Sequence, residues 1–123
     1  MQRILLADDD PDSLEGLRTL LTAWGYEVGT ASDGRAALDR VGEFHPSVVI
    51  TDIVMPALDG LELLEAVKRE EPDIPVIVMT GHASLETRHR AAAGGAFGYL
   101  PKPVDAARLK SLLASAVAAA GDA

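Results

Sequence analysis

The 123-residue chain contains no cysteine, which excludes disulfides and thiolate metal sites. It has no long apolar run either: no stretch approaches the roughly 18 apolar residues of a membrane span. The apolar run at residues 4–7 meets three acids at once, unlike the apolar core of a signal peptide. Positive charge is also scarce, with 11 Lys and Arg against 19 Asp and Glu and a formal net charge of −8. So acidic a chain is a poor candidate for binding DNA or an anionic membrane directly, and suits cations and basic protein surfaces. These absences predict a soluble, cytoplasmic protein with no direct nucleic-acid or membrane partner.

Apolar residues make up 48% of the sequence, enough for one core, and the length is that of one ordinary domain, predicted to cover residues 1–123. Short apolar runs alternate with helical patterns. Strands are predicted at residues 2–7, 26–31, 47–52, 74–80 and 96–100. Between them, Asp10 caps a helix with Pro11 at its first position, Leu14, Leu17, Leu21 and Trp24 recur at helical spacing, and Gly25 stops it. Ser32 is read as the cap of a second helix ending near Phe44, and Leu61, Leu64 and Val67 mark a third. The segment GHASLETRHRAAAGG has a weak stripe, and its double-glycine end should loosen that helix. The last helix carries Leu109, Leu112, Leu113 and Ala116 on one face, with only the closing GDA expected to fray. Strands that do not alternate, separated by helices, imply a parallel sheet covered on both faces. The predicted class is α/β: a five-stranded, doubly wound, flavodoxin-like sheet in the order 2-1-3-4-5.

Placed on that map, Asp8 and Asp9 follow strand one, Asp52 ends strand three, Thr80 ends strand four and Lys102 follows strand five. All lie at the carboxyl ends of strands, where open α/β sheets bind ligands, and strands one and three flank the point where strand order reverses. Three converging carboxylates without His or Cys suit a hard divalent cation, best Mg²⁺, which takes oxygen ligands and keeps several waters. Lys102 adds a point charge, Thr80 a hydroxyl, and the small Gly81 lets a backbone N–H approach an oxyanion. Together these suit phosphoryl transfer onto an aspartate. Each feature alone has a plainer reading: an acidic helix N-terminus, a capping hydroxyl, a solvated lysine.

The segments ILLADDDPDS, VVITDIVMPALDGLELL, IPVIVMTGHAS and AFGYLPKPVD, in this order, resemble a response-regulator receiver domain of two-component signalling over nearly the whole chain. The resemblance implies that Asp52 is the phosphoacceptor. It implies that Asp9 and Asp52 ligate Mg²⁺, with Asp8 acting through water and Val54 giving its backbone carbonyl. The backbone N–H groups of Val54 and Gly81, with Lys102 and Thr80, would meet the phosphoryl group. Thr80 and Tyr99 would form the switch pair, and the Lys102–Pro103 peptide would be cis. The implied partners are a sensor histidine kinase or histidine phosphotransfer protein and a downstream protein or output domain. A changed surface of helix four, strand five and helix five would also be where a second copy could pair.

Gly94 and Gly98 stand where many such domains carry Ala and Asp. An apolar Val54 beside His82 is expected to favour a long-lived phosphoryl group, because it cannot orient a hydrolytic water. His45, His82 and His89 lack ligand spacing and are read as surface residues, Arg88-His89-Arg90 as a solvated or partner-binding basic cluster, and Asp59-Gly60 as helix-start chemistry. The predicted role is a switch, not an enzyme on an outside substrate. Two rivals stay open: a phosphorylation-independent pseudo-receiver, and a small aspartyl-phosphate phosphatase or phosphotransferase.

Overall fold

In the computed structural model, which describes residues 2–120, all ten elements are present. They run β1 (Arg3–Ala7), α1 (Pro11–Ala23), β2 (Glu27–Ala31), α2 (Gly34–Phe44), β3 (Val48–Asp52), α3 (Gly60–Glu70), β4 (Val76–Thr80), α4 (Leu85–Ala93), β5 (Gly98–Pro101) and α5 (Ala106–Ala119). Every strand pairing is parallel and the order is β2-β1-β3-β4-β5. This is the flavodoxin-like arrangement read from the sequence. Residues 121–123, expected to fray, lie outside the described residues.

Side chains alternate across a sheet, and the two cores follow that parity. Ile4, Leu6, Val48, Ile50, Ile77, Met79 and Leu100 pack under α1 and α5, against Leu21, Leu109, Leu113 and Ala116. Leu5, Ala7, Val49, Val76 and Val78 pack under α2, α3 and α4, against Ala37, Val41, Leu64, Val67 and Ala91. The three central strands are apolar at both parities because both faces are covered.

Local starts and stops mostly follow the sequence. Asp10 caps α1, its carboxylate accepting from the Asp12 N–H, with Pro11 at N1, and Gly25 follows the C-cap at φ +97°. The cap of α2 is Asp33, not Ser32: the carboxylate of the extended Asp33 reaches the Ala36 N–H three residues on at 2.8 Å. Ser32 instead occupies the bend after β2. Strands begin one or two residues later than predicted, and β5 ends on Pro101, paired with Thr80. Proline is tolerated there because β5 is an edge strand. The glycine pair after α4 lies outside that helix. Gly94 is the C-cap, and Gly95 adopts φ +89°, a left-handed stop that glycine accepts without strain. The cost glycine carries inside a helix, the ground for expecting a loosened helix, therefore does not act on α4. What limits α4 is packing, since Ala91 is its one buried residue.

Candidate functional site

The site forms where five strands run out together. Past the end of β1, the Asp8 N–H still bonds to the Ala31 carbonyl at 3.1 Å. Past β3, Ile53 N–H bonds to Met79 O at 2.9 Å, and past β5, Lys102 N–H bonds to Thr80 O at 2.8 Å. The rim is thus held by the ladder that builds the sheet. Parity then sorts the side chains. Asp8 continues the Ile4–Leu6 series, Asp52 the Val48–Ile50 series and Lys102 that of Leu100. Thr80 and Tyr99 fall on the other parity, toward α4, and Tyr99 pairs in register with Val78, two residues before Thr80.

Asp8 is fully buried and Asp52 only 8% exposed, whereas Asp9 faces solvent. Both oxygens of Asp8 are engaged: one accepts from the Asp10 N–H at 3.0 Å, the other from Lys102 Nζ at 2.9 Å. Lys102 Nζ also donates to Asp52 Oδ2 at 3.2 Å. Burial pushes the Asp52 carboxyl above its ordinary range; Lys102 pulls it down and the neighbouring Asp8 charge pushes it up, and the net direction is upward. Burial alone would lower Lys102, but the Asp8 hydrogen bond and both carboxylate charges outweigh it and leave the ammonium raised.

Three carboxylates converge with one ammonium. One oxygen from each of Asp8, Asp9 and Asp52 lies within 4.8 Å of the others. Opposite ligands of an octahedral Mg²⁺ stand about 4.2 Å apart, so these hard donors fit that ion. Receiver domains bind Mg²⁺ at an acidic pocket, and these residues form one here. Asp9 and Asp52 open onto a cleft of about 260 Å³ that Asp10, Val54, Gly81, His82 and Lys102 also line.

The loop after Asp52 is shaped by two features. Leu58 N–H bonds back to Pro56 O at 2.8 Å across Ala57, whose φ is +68°. Asp59 caps α3 through a full capping box with Glu62. A Cβ at Gly60 would stand 2.1 Å from the Asp52 carbonyl oxygen, so only glycine lets α3 start against the end of β3. The helix-start reading of Asp59-Gly60 thus holds, and Gly60 also sets how closely α3 approaches the backbone of Asp52.

Thr80 is buried, and its Oγ1 accepts from the His82 N–H at 3.0 Å. Tyr99 is half-buried. Its hydroxyl shares a 2.7 Å hydrogen bond with Thr87 Oγ1 and accepts a long one, 3.4 Å, from the Ser84 N–H at the cap of α4. Arg88 lies 4.8 Å over the Tyr99 ring. The Lys102–Pro103 peptide is cis. Val54 is 58% exposed beside the cleft, and His45, His82 and His89 are all exposed. The contacts of Thr87 and Arg88 with Tyr99 went unread in the sequence, where Thr at the third helical position departs from the Glu or Gln that marks a capping box.

A family model for the response regulator receiver domain matches residues 4–114. The chain belongs to that family. This receiver domain is 41% identical over 115 residues to the transcriptional regulatory protein ZraR of Klebsiella oxytoca, an alignment covering 94% of this chain and 26% of ZraR. It is 41% identical over 115 residues to the response regulator MprA of Mycolicibacterium vanbaalenii, covering 90% and 50% of the two chains. A solved receiver domain protein from Clostridium thermocellum matches with a TM-score of 0.91 at 38% identity, over 96% of this receiver and 95% of that chain. The receiver therefore spans about a quarter of ZraR and half of MprA. Membership makes it a signalling switch of two-component systems.

Proposed function

We propose that residues 1–123 act as one receiver that takes a phosphoryl group on Asp52 and passes its presence to the α4–β5–α5 surface. The observation that carries this reading is the buried Asp52 carboxylate, bonded to Lys102 and gathered with Asp8 and Asp9 at one strand-end rim. An Asp52 oxygen attacks the phosphorus of a phosphohistidine on a kinase or phosphotransfer protein; the new O–P bond forms as the P–N bond breaks and the imidazole leaves. Asp9, Asp52 and Asp8, the last through water, with the Val54 carbonyl, would hold Mg²⁺. The ion would supply charge neutralisation between carboxylates and phosphoryl oxygens. Lys102 then moves from carboxylate to phosphoryl oxygen, the N–H groups of Val54 and Gly81 bind the other oxygens, and the Thr80 hydroxyl donates to the group. Thr80 and Tyr99 share the α4-facing side of the sheet, so a shift of Thr80 is felt by the ring and by α4. The output is a downstream protein or an appended domain.

Incubation with acetyl phosphate and Mg²⁺ followed by intact mass tests this. The chain should gain one phosphoryl group, and Asp52→Asn or chelation of the ion should abolish the gain. Unchanged labelling of Asp52→Asn would refute the assignment. The exposed, apolar Val54 offers a hydrolytic water no hydrogen bond, which supports a slow loss of the label.

A further inference from the structure

The loop between β3 and α3 brings the Val54 backbone to the cleft, yet the Val54 side chain is 58% exposed and gains little from packing. Its backbone must therefore be placed by the residues on either side. Ile53 and Met55 are buried and fix one arm of the loop. The other arm runs through Pro56 and Ala57, both exposed, into Leu58. There the Leu58 N–H bonds to Pro56 O at 2.8 Å, with Ala57 at φ +68°. A three-residue turn closed around a positive central φ is rare and strained for an L residue. Strain of this kind persists only where the surroundings over-determine it.

Those surroundings include a helix to which the mechanism gives no part. Gly34 is the first residue of α2 and is buried. A Cβ built there would stand 1.8 Å from the Leu58 carbonyl oxygen and 2.6 Å from its carbon. Both are backbone atoms, which cannot swing aside as the end of a flexible side chain does. A Cα hydrogen of Gly34 therefore faces that oxygen, and α2 bears directly on the outer arm of the loop. Asp33 squares the helix at this point: its carboxylate accepts from the Ala36 N–H at 2.8 Å and its carbonyl from the Ala37 N–H at 3.0 Å. Leu58 is itself packed against the core under α2 and α3.

We propose that Gly34 is a positioning residue for phosphoryl transfer, holding the Val54 backbone in place through Leu58. The proposal rests on the reading of Asp52 as phosphoacceptor, with the Val54 carbonyl and N–H as contacts of the ion and the phosphoryl group. Gly60 fixes where the loop ends against β3; Gly34 fixes how far its outer arm can swing. With a side chain at position 34, α2 and Leu58 must part. The held turn then opens, since Ala57 gains by leaving the left-handed region, and Val54 shifts in the cleft it lines with Asp52. Asp52 stays on β3, bonded to Lys102. The loss therefore falls on ion binding and transfer, while the carboxylate cluster stays assembled. Losing a group that orients a metal ligand costs about 10–100-fold in metal affinity or activity.

The test compares the whole chain with Gly34→Ala, Asp33→Ala and Val41→Ala. Asp33→Ala loosens the first turn of α2 without adding bulk, and Val41→Ala thins the buried face of α2 but leaves its first turn alone. Three quantities are read: the Mg²⁺ dissociation constant by calorimetry, the rate of labelling by acetyl phosphate at saturating Mg²⁺, and the amide signal of Val54 in the metal-free chain. Urea unfolding records stability alongside. Gly34→Ala should bind Mg²⁺ about tenfold more weakly, take the label more slowly even when saturated with the ion, and shift the Val54 signal. Asp33→Ala should do the same to a smaller degree, and Val41→Ala should lose stability alone. A Gly34→Ala chain that is less stable but keeps the parent's affinity, rate and Val54 signal would overturn the proposal, as would a Val41→Ala chain that matches it in all three. Should Gly34→Ala not fold, Asp33→Ala decides by the same three quantities. A parent chain that binds no Mg²⁺ or takes no label would count against the functional reading, and the Val54 signal would still decide whether α2 sets the loop.

Discussion

Asp52 sits in a place that resists its own charge. Burial and Asp8 disfavour the carboxylate more than Lys102 favours it, so its pKa is raised in the folded chain. The folded state therefore holds that proton more tightly than the unfolded state. The stability this gives is present in full below the ordinary carboxyl range and lost as pH climbs through the raised value. Without divalent cations, Asp52→Asn should exceed the parent in stability at pH 7, because it removes the charge that burial disfavours. The gap should shrink toward pH 4, as read by urea unfolding. A saturating divalent cation should reverse the order. At 100 times its dissociation constant, Mg²⁺ stabilises a binding fold by about 2.7 kcal/mol; thermal melts should show that gain for the parent and little of it for Asp9→Asn. Lys102→Ala should leave metal binding largely intact and raise the Asp52 pKa further, because Lys102 is the group that lowers it. Carbon-detected titration of the carboxyl would show the shift. Asp8, Asp9, Asp52, Thr80 and Lys102 were legible as a group because each falls just where an apolar run stops. The part of Arg88 was not legible, because a cation resting on a ring across two elements leaves no local pattern.

Among the elements, α3 and α4 stand at opposite extremes. α3 buries six of its residues and begins under a capping box, with Gly60 against the backbone of Asp52. Gly60→Ala must push either helix or strand and should cost about 1–3 kcal/mol, the usual penalty of forced overpacking. It should also slow phosphorylation, which separates it from an ordinary core lesion. α4 buries Ala91 and is otherwise held by its cap, where Thr87 serves both Ser84 and Tyr99. Thr87→Val should weaken that cap by about 1 kcal/mol and free the Tyr99 hydroxyl. Amide exchange in α4 should then accelerate while α3 is unchanged. The weak stripe of α4 was visible in the sequence. Its glycine pair was legible as the end of the helix, and Gly94 as C-cap with Gly95 at positive φ does close it; the loosening expected of that pair borrowed a penalty that applies only inside a helix. The cap of α2 shifted by one residue: Ser32 and Asp33 both qualify, and only the bend after β2 decides between them.

At the scale of the molecule, strand order and site location follow from few facts. Unalternating apolar strands demand cover on both faces, and right-handed crossovers then restrict the order. That is why the fold was readable from one sequence, whereas strand starts, which depend on when neighbouring strands come into register, were off by one or two residues. No helix among the described residues is long and apolar enough to cross a membrane. The two faces of the sheet keep these side chains on separate parities: Asp52, Asp8 and Lys102 on the side of α1 and α5, and Thr80 with Tyr99 on the side of α4.

The candidate site gathers on one rim of the sheet, which leaves the far rim vacant for engineering. The turn from α3 into β4 lies there, and Glu71, Pro72 and Asp73 are exposed. A reporter peptide spliced between Pro72 and Asp73 ought to leave acyl-phosphate formation untouched, whereas the same graft between Gly81 and His82 ought to silence it. A biosensor assembled on this scaffold would take its fluorophore at the first position and its signal from the second.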